Sequence, residues 1–347
     1  MNNSMRPRIL MIYTGGTIGM IENPDTRALE PFDFDHLLDN VPKLKMLDFD
    51  IDSYQFEKPI DSSAMNPEHW GAISKVIGDN YDRYDGFVVL HGTDTMAYTA
   101  SALSFMLEGL DKPVIITGSQ LPIGEVRTDG EENLIAAIQV AAARNRDGSP
   151  KVREVAILFQ NYLLRGNRST KHSADDFDAF KSNNYPPLAN IGLDITYNRD
   201  ALRKDYSEKP LTLHYDMDTS VVYLELFPGM TKETVSHILN APGLKGVVLK
   251  TFGAGNGPNV DWFLDALKEA ISRGIVIVNV TQCPNGKVMP ERYQTGLEMT
   301  RAGVVSGHDL TSEAAITKLM YLFGLGMSRD QVRRGMQVSL RGELTTD

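Results

Sequence analysis

Short apolar runs alternate with segments of helical periodicity along most of this 347-residue chain. In the first half, four such runs predict strands at Arg8–Tyr13, Gly86–Leu90, 113–117 and 152–159. Apolar residues at three- and four-residue spacings predict helices at 95–107 and 131–143. Strands that alternate with helices in this way are typical of a parallel sheet covered by crossover helices. The pattern therefore predicts an α/β fold with a mainly parallel sheet.

A second set of strands and helices follows residue 219. Strands are predicted at 221–227, 246–251 and 274–280, and helices at 231–239, 260–272 and 311–323. The preceding segment, 197–219, is charged and has no sustained apolar run. Because the chain also exceeds the usual size of one core, we predict two domains. These are a larger N-terminal α/β domain (1–196), a linker (197–219) and a smaller C-terminal α/β domain (220–347).

The composition argues against several classes of function. A formal net charge of -10 without a basic stripe predicts no nucleic-acid partner. No apolar run approaches the roughly 20 residues of a membrane-spanning helix, so no membrane partner is expected. The single cysteine, Cys283, and an N-terminus without the apolar stretch of a signal peptide predict a cytoplasmic location. The few scattered histidines form no zinc pattern, and we predict no metal.

Polar, glycine-rich segments follow three of the predicted strands, where open α/β sheets bind their ligands. They are 14–19 (TGGTIG), 91–95 (HGTDT) and 117–120 (TGSQ). Their spacing fits neither the dinucleotide fingerprint nor the phosphate loop, and the esterase elbow is absent around Ser119. Threonine hydroxyls remain as candidate nucleophiles, and such a hydroxyl needs a neighbouring base.

Lys171 is the candidate base. It follows the fourth predicted strand, so it is expected at the same edge of the sheet as Thr14, Thr93 and Asp94. A lysine desolvated there would relay a proton through Thr93, while Asp94 orients it or binds a substrate ammonium group.

Each of these residues also has an ordinary structural explanation. A threonine after a strand commonly forms a turn or caps a helix, and a lone lysine is commonly a solvated surface charge. His91 fits a hydrogen-bonded core histidine better than a catalyst, and tight turns alone would explain the glycines. The residues by themselves indicate no more than a threonine-dependent hydrolase.

Two segments resemble the signature segments of the bacterial-type L-asparaginases: 13–19 (YTGGTIG) and 91–96 (HGTDTM). Further similar segments are 61–66 (DSSAMN), 117–122 (TGSQLP), 168–171 (RSTK) and 282–286 (QCPNG). Segments 226–229 (LFPG) and 311–315 (TSEAA) are similar to the cytoplasmic type I branch. The resemblance covers nearly the whole chain.

The resemblance implies hydrolysis of L-asparagine to L-aspartate and ammonia through a threonine-linked acyl-enzyme, with no cofactor. Thr14 matches the nucleophile, Thr93 and Lys171 match the threonine–lysine pair, and Asp94 and Ser62 match the residues that hold the ammonium and carboxylate groups. The implied substrate-binding set is Ser62, Asp61, Thr93, Asp94, Gly15, Gly92 and Ser119. The family also implies a homodimer or homotetramer with sites completed across the subunit interface.

The chain departs from the family on the loop after the nucleophile. The family usually has a tyrosine there, and residues 20–31 contain none. Tyr13 lies inside the first predicted strand and is expected to point elsewhere. A tyrosine from another loop, or the Thr93–Lys171 pair itself, would then activate Thr14. The loop is polar, and we expect a mobile lid that orders over substrate.

Two other functions remain open on sequence grounds. One is the ammonia-generating amidase subunit of a Glu-tRNA amidotransferase, which shares the threonine signatures. The other is a catalytically silent amino-acid binding protein. The preference for asparagine over glutamine is also open, because one methylene changes discrimination by only about 1 to 3 kcal/mol. The type I resemblance further suggests a regulatory asparagine site bordered by Cys283 and Thr170.

Overall fold

The computed structural model describes residues 6–22, 29–31, 41–204 and 209–346. The chain divides into two compact units, Met1–Tyr215 and Asp216–Asp347. Among the described segments, none of the helices combines the length and the apolar composition needed to cross a bilayer.

The first unit contains fourteen described strands and three described α-helices. The strands are β1 (Arg8–Tyr13), β2 (Met20–Glu22), β3 (Leu29–Pro31), β4 (Asp50–Gln55), β5 (Gly86–Leu90), β6 (Leu107–Glu108), β7 (Val114–Thr117), β8 (Val155–Phe159), β9 (Tyr162–Arg165), β10 (Thr170–Lys171), β11 (Phe180–Lys181), β12 (Ala189–Ile191), β13 (Ile195–Tyr197) and β14 (Thr212–Leu213). The helices are α1 (Pro67–Asp79), α2 (Met96–Met106) and α3 (Gly130–Ala142), with short 3₁₀ turns at Thr17–Gly19, Pro42–Met46, Ser62–Ala64 and Gly166–Arg168.

Eight strands form the main sheet in the order β13, β12, β9, β8, β7, β5, β1, β4. The pairings from β8 to β4 are parallel, and β9, β12 and β13 add antiparallel pairings at the other side. In the parallel part, Tyr13 lies opposite Leu90, and Leu90 lies opposite Thr117. The carboxyl ends of β1, β5 and β7 are therefore side by side. The predicted mainly parallel sheet is confirmed.

The central strands of this sheet are buried on both faces, and successive residues of β1 point to opposite faces. Ile9 and Met11 belong to the apolar cluster that includes residues of α3. Leu10 and Ile12 belong to the cluster that includes residues of α1 and α2. Burial on both faces explains why the central strands are continuous apolar runs in the sequence, and the predicted bounds of β1 and β5 are confirmed.

The route from β8 to Lys171 differs from the prediction of a single strand. The chain reverses at Gln160, whose φ of 49° lies in the left-handed region, and returns as β9 antiparallel to β8. It then continues through the turn Gly166–Arg168 into β10, which carries Lys171. Lys171 therefore follows the β8–β9 hairpin, on a strand outside the main sheet.

The predicted linker, 197–219, contains the division between the two units, but much of it packs within the first unit. Tyr197 ends β13, and β14 pairs with β6 in antiparallel fashion. Leu211 and Leu213 pack against the cluster that includes α1 and α2. This short apolar pair, set among charged residues, keeps the segment up to Tyr215 on the first unit.

The second unit is built on a four-stranded parallel sheet in the order β15, β16, β17, β18. Its strands are β15 (Val221–Glu225), β16 (Gly246–Thr251), β17 (Val276–Thr281) and β18 (Val305–Ser306). Its helices are α4 (Lys232–Leu239), α5 (Asp261–Ser272), α6 (Gln294–Ala302), α7 (Ser312–Gly324) and α8 (Arg329–Gly335), with a 3₁₀ turn at Pro290–Arg292. The predicted smaller C-terminal α/β unit is confirmed.

A buried ion pair joins α7 to the C-terminal segment inside this second unit. Lys318 Nζ lies 2.5 Å from Glu343 Oε1, and both side chains are fully buried. Lys318 also donates to the carbonyl oxygen of Val338, and the Glu343 carboxylate accepts the backbone N–H groups of Leu340 and Arg341. These contacts hold the last described turn of the chain against α7.

Candidate active site

Thr14 directly follows β1 and is almost completely buried, at 1% exposure. Its backbone N–H and its Oγ1 both donate to the carbonyl oxygen of Leu90, at 3.1 Å and 2.9 Å. Its own carbonyl oxygen accepts the N–H of Ile60 at 2.6 Å. The hydroxyl is therefore fixed at the end of β5, where the segment 91–95 begins.

Two predicted glycines allow backbone segments to approach closely around Thr14. Gly15 has φ 138°, and a Cβ there would lie 2.3 Å from the carbonyl oxygen of Ile60. A Cβ on Gly92 would lie 2.5 Å from Ser62 Oγ. A larger side chain at Gly15 would push Ile60 away from the segment that carries Thr14, and one at Gly92 would push Ser62 away from segment 91–95.

Lys171 is bonded to both of its predicted partners. Its Nζ lies 2.9 Å from Thr93 Oγ1 and 2.6 Å from Asp94 Oδ1. The Lys171 side chain is 20% exposed, whereas that of Asp94 is 63% exposed. The structure thus brings together a hydroxyl, an ammonium group and a carboxylate, and the carboxylate is the group most open to solvent.

Ser62 and Asp61 begin the 3₁₀ turn Ser62–Ala64. Ser62 is buried, and its carbonyl oxygen accepts the hydroxyl of Thr95 at 2.6 Å. The Asp61 side chain caps the turn by accepting the N–H of Ser63 at 2.9 Å. Ser62 therefore adjoins segment 91–95 directly, while the Asp61 carboxylate has a local structural partner.

Ser119 follows β7 and is 2% exposed. In the described part of the chain its Oγ makes no hydrogen bond. What distinguishes Ser119 is its place at the carboxyl end of the sheet, where open α/β sheets bind their ligands. Its role in substrate binding stays a prediction.

Asp129 and Asn133 hold the loop that carries Ser119, and sequence reasoning missed both. The Asp129 carboxylate accepts the backbone N–H groups of Gln120 and Leu121 at 3.0 to 3.1 Å. Asn133 Nδ2 donates to Asp129 and to the carbonyl oxygen of Gly118. Asp129 directly precedes α3, but its side chain makes no cap hydrogen bond to that helix.

Gln120 lies in segment 117–122, where the sequence predicts no role for it, and the structure places it against Thr93. Its Nε2 donates to the carbonyl oxygens of Ala174 and Asp176 at 3.3 and 3.0 Å. Because carbonyl oxygens only accept, this fixes the amide with Oε1 towards Thr93 Oγ1, 3.3 Å away. The Thr93 hydroxyl therefore donates a hydrogen bond to Gln120 and accepts one from Lys171.

His91 and Tyr13 are both buried behind the site. His91 is fully buried, and burial lowers its pKa to about 4. Tyr13 is 1% exposed, burial raises its pKa to about 12, and its hydroxyl donates to the carbonyl oxygen of Gly19 at 3.1 Å. Tyr13 points away from Thr14 into the core, as expected, and it anchors the start of the following loop.

The loop predicted as a lid is described only at its ends. Met20–Glu22 and Leu29–Pro31 pair as an antiparallel hairpin, with Met20 opposite Pro31. Residues 23–28 lie outside the described residues, and the lid stays a prediction. The suggested regulatory site also stays a prediction, because Thr170 lies in the first unit and Cys283, an exposed free thiol, in the second.

The assembled groups suit hydrolysis of a small charged amide. The set consists of a fixed hydroxyl at Thr14, a second hydroxyl bonded to an amine, and a solvent-facing carboxylate, which are groups of the kinds that serve as nucleophile, proton carrier and cation partner in hydrolases. Such a set needs no redox cofactor for hydrolysis.

Comparisons with known proteins identify the family of the chain. Residues 8–203 match the family model of the asparaginase N-terminal domain, and residues 220–336 match that of the glutaminase/asparaginase C-terminal domain. The chain is 44% identical to L-asparaginase 1 of Escherichia coli strain K12 over 342 residues, which are 98% of each chain. It is 41% identical to a mouse protein named 60 kDa lysophospholipase, of which it covers 62%.

Solved structures give the same result. The structure of L-asparaginase I from Vibrio cholerae superposes with a TM-score of 0.89 at 40% sequence identity, covering 98% of this chain and 100% of that one. The match extends over both units, and both family models are found in the expected order. The chain therefore belongs to the asparaginase family.

Proposed function

We propose that this protein is an L-asparaginase, which hydrolyses L-asparagine to L-aspartate and ammonia. The observation that carries the proposal is the direct contact of Lys171 Nζ with Thr93 Oγ1 and Asp94 Oδ1. Both partners lie in segment 91–95, which directly follows Leu90, the residue that accepts the hydrogen bond of the Thr14 hydroxyl. The similarity to L-asparaginase 1 of Escherichia coli over 98% of both chains supports the same substrate.

In the proposed reaction, Lys171 first releases one ammonium proton to solvent. Thr14 Oγ1 then attacks the side-chain carbonyl carbon of asparagine, and its proton passes through Thr93 to the neutral amine of Lys171. The nitrogen of the tetrahedral intermediate takes this proton back from the Thr93–Lys171 pair and leaves as ammonia, so that an aspartyl ester remains on Thr14. Water then attacks the ester carbonyl, L-aspartate leaves, and the hydroxyl of Thr14 regains its proton. The Thr93–Lys171 pair replaces the loop tyrosine as the group that activates Thr14.

Asp94 links substrate binding to this proton path. In the resting site its carboxylate stabilises the Lys171 ammonium across 2.6 Å. Its exposure leaves it open to the α-ammonium group of the substrate, which would compete with Lys171 for the same carboxylate. Substrate binding would then weaken the ion pair between Asp94 and Lys171. Ser62 and Ser119 are proposed to bind the carboxylate and amide groups.

The proposal is tested by measuring ammonia and aspartate released from L-asparagine by the purified protein. We expect both products in equal amounts and without tRNA. Parallel reactions with L-glutamine and lysophosphatidylcholine test the glutaminase and lysophospholipase names carried by similar proteins. Binding of asparagine without any ammonia would instead identify a silent binding protein, and release only in the presence of Glu-tRNA would identify an amidotransferase subunit.

We further propose a homodimer or homotetramer in the cytoplasm. The family resemblance supports the assembly, and a single cysteine suits a reducing compartment. Light scattering after size exclusion measures the assembly, and a monomer with full activity contradicts it.

A further inference from the structure

The segment that carries Thr93 is tied to the interior by three buried side chains outside the proposed chemistry. Trp70 lies on α1, Thr99 on α2, and His91 directly after β5. Trp70 Nε1 donates to Thr99 Oγ1 at 3.0 Å, and Thr99 Oγ1 lies 2.8 Å from His91 Nε2. His91 Nδ1 lies 2.7 Å from the carbonyl oxygen of Gly92. The three residues form a continuous chain that ends on the Gly92 carbonyl.

Each hydrogen bond in this series has a defined donor and acceptor. The Gly92 carbonyl oxygen only accepts, so His91 Nδ1 carries a proton. Burial lowers the pKa of His91 to about 4, so the ring is neutral near pH 7 and Nε2 accepts. Thr99 therefore donates its hydroxyl proton to Nε2, while its oxygen accepts from the Trp70 indole. A single His91 tautomer satisfies all the groups.

Holding the Gly92 carbonyl also orients the peptide bond that follows it. A trans peptide directs its C=O and N–H to opposite sides, and no cis bond occurs among the described residues. The Thr93 N–H therefore points away from the His91 ring, and within the described residues it has no hydrogen-bond partner. Gly92 itself is packed tightly, since a Cβ on Gly16 would lie 2.4 Å from the Gly92 nitrogen.

We propose that Trp70, Thr99 and His91 are positioning residues that aim the Thr93 N–H at the carbonyl oxygen of the substrate amide. This inference rests on the proposed asparagine hydrolysis. A backbone donor at that oxygen stabilises the negative charge of the transition state, which the ground state lacks. If the hydrogen bonds among these residues are lost, the Thr93 N–H no longer points at the substrate oxygen, so kcat falls while substrate affinity changes little.

The test replaces Thr99 with valine and with serine. Thr99→Val keeps the shape but removes both hydrogen bonds, and we expect kcat for L-asparagine to fall about 10- to 100-fold with KM within about 3-fold. Thr99→Ser keeps the hydroxyl and should retain at least half of the wild-type kcat. Ser101→Ala is the matched control, because Ser101 is a fully buried α2 residue whose Oγ has no partner among the described residues. It should leave kcat unchanged.

The His91 tautomer provides a second readout that needs no activity. In ¹⁵N NMR at pH 7 we expect a single Nδ1–H form in the wild type and a mixture in Thr99→Val. An Nε2–H form or an imidazolium in the wild type overturns the proposal. A kcat of Thr99→Val within 2-fold of wild type also overturns it, and so does a loss of kcat in Thr99→Ser equal to that in Thr99→Val. A wild type that releases no ammonia but has the Nδ1–H form overturns the proposed function and the catalytic part of this inference, while leaving the hydrogen-bond chain supported.

Discussion

Lys171 contacts two oxygens that affect its ammonium group differently. The Asp94 carboxylate stabilises the charge, whereas the Thr93 hydroxyl lies on the proposed proton path. Gln120 Oε1 accepts a hydrogen bond from the Thr93 hydroxyl, so the oxygen of that hydroxyl faces Lys171. At the residue scale the site is a defined set of hydrogen-bond donors and acceptors. Substitution of Lys171 distinguishes the proposed catalytic role from that of a solvated surface charge.

Replacing Lys171 with methionine should lower kcat about 100-fold or more, because the apolar stem remains but the proton acceptor is lost. The fold should survive, since Asp94 is largely exposed and remains hydrated when unpaired. Steady-state kinetics and urea unfolding measure the two effects. Lys75→Met, which removes an exposed ion pair with Asp79 on α1, is the control and should change neither activity nor stability by much. A folded Lys171→Met enzyme with more than about a tenth of wild-type kcat would rule out the proton path.

His91 should give the folded protein a pH-dependent stability. Its pKa is about 4 in the folded protein and 6.5 for the unperturbed group. The unfolded state therefore binds the proton first, so this contribution is complete above pH 6.5 and declines as the pH falls towards 4. At about 1.4 kcal/mol per unit, the loss is about 3 kcal/mol. Unfolding free energies of wild type and His91→Gln, compared between pH 4 and 7, isolate it, and parallel pH profiles would contradict the assignment.

At the scale of elements, burial decides what was predictable. Strands β1 and β5 are apolar throughout and buried on both faces, so their ends were predicted correctly, and with them the positions of Thr14 and Thr93. Strand β4 has the polar sequence DIDSYQ and is largely exposed at the sheet edge, so it carried no strand signal. Gln120 and Asp129 were missed because their roles depend on contacts between loops, which periodicity does not report.

The contact between α7 and the C-terminal segment should depend on the Lys318–Glu343 pair. Lys318→Met leaves the Glu343 carboxylate buried without its cation, which should lower the free energy of unfolding by about 3 to 5 kcal/mol. The double variant Lys318→Met with Glu343→Gln removes the buried charge and should recover part of that loss. Urea unfolding of the three proteins measures this. A double variant no more stable than Lys318→Met would show that the unpaired charge is not the cause.

At the scale of the whole molecule, the two units have separate cores, and the residues proposed as catalytic all belong to the first. The mainly parallel sheet aligns the ends of β1, β5 and β7, which places residues distant in sequence at one edge. The hairpin β8–β9 then returns the chain to carry Lys171 to Thr93. The sequence predicted this convergence, but not the hairpin that produces it.

The most direct test of the account is the activity of two Thr14 variants with L-asparagine. Thr14→Val removes the hydroxyl but keeps the shape and the backbone bond to Leu90, so the protein should fold and lose about 1,000-fold or more in kcat/KM. Thr14→Ser keeps a hydroxyl and should retain measurably more activity than valine. Near-normal ammonia release by a folded Thr14→Val protein would contradict the assignment of Thr14 as the nucleophile.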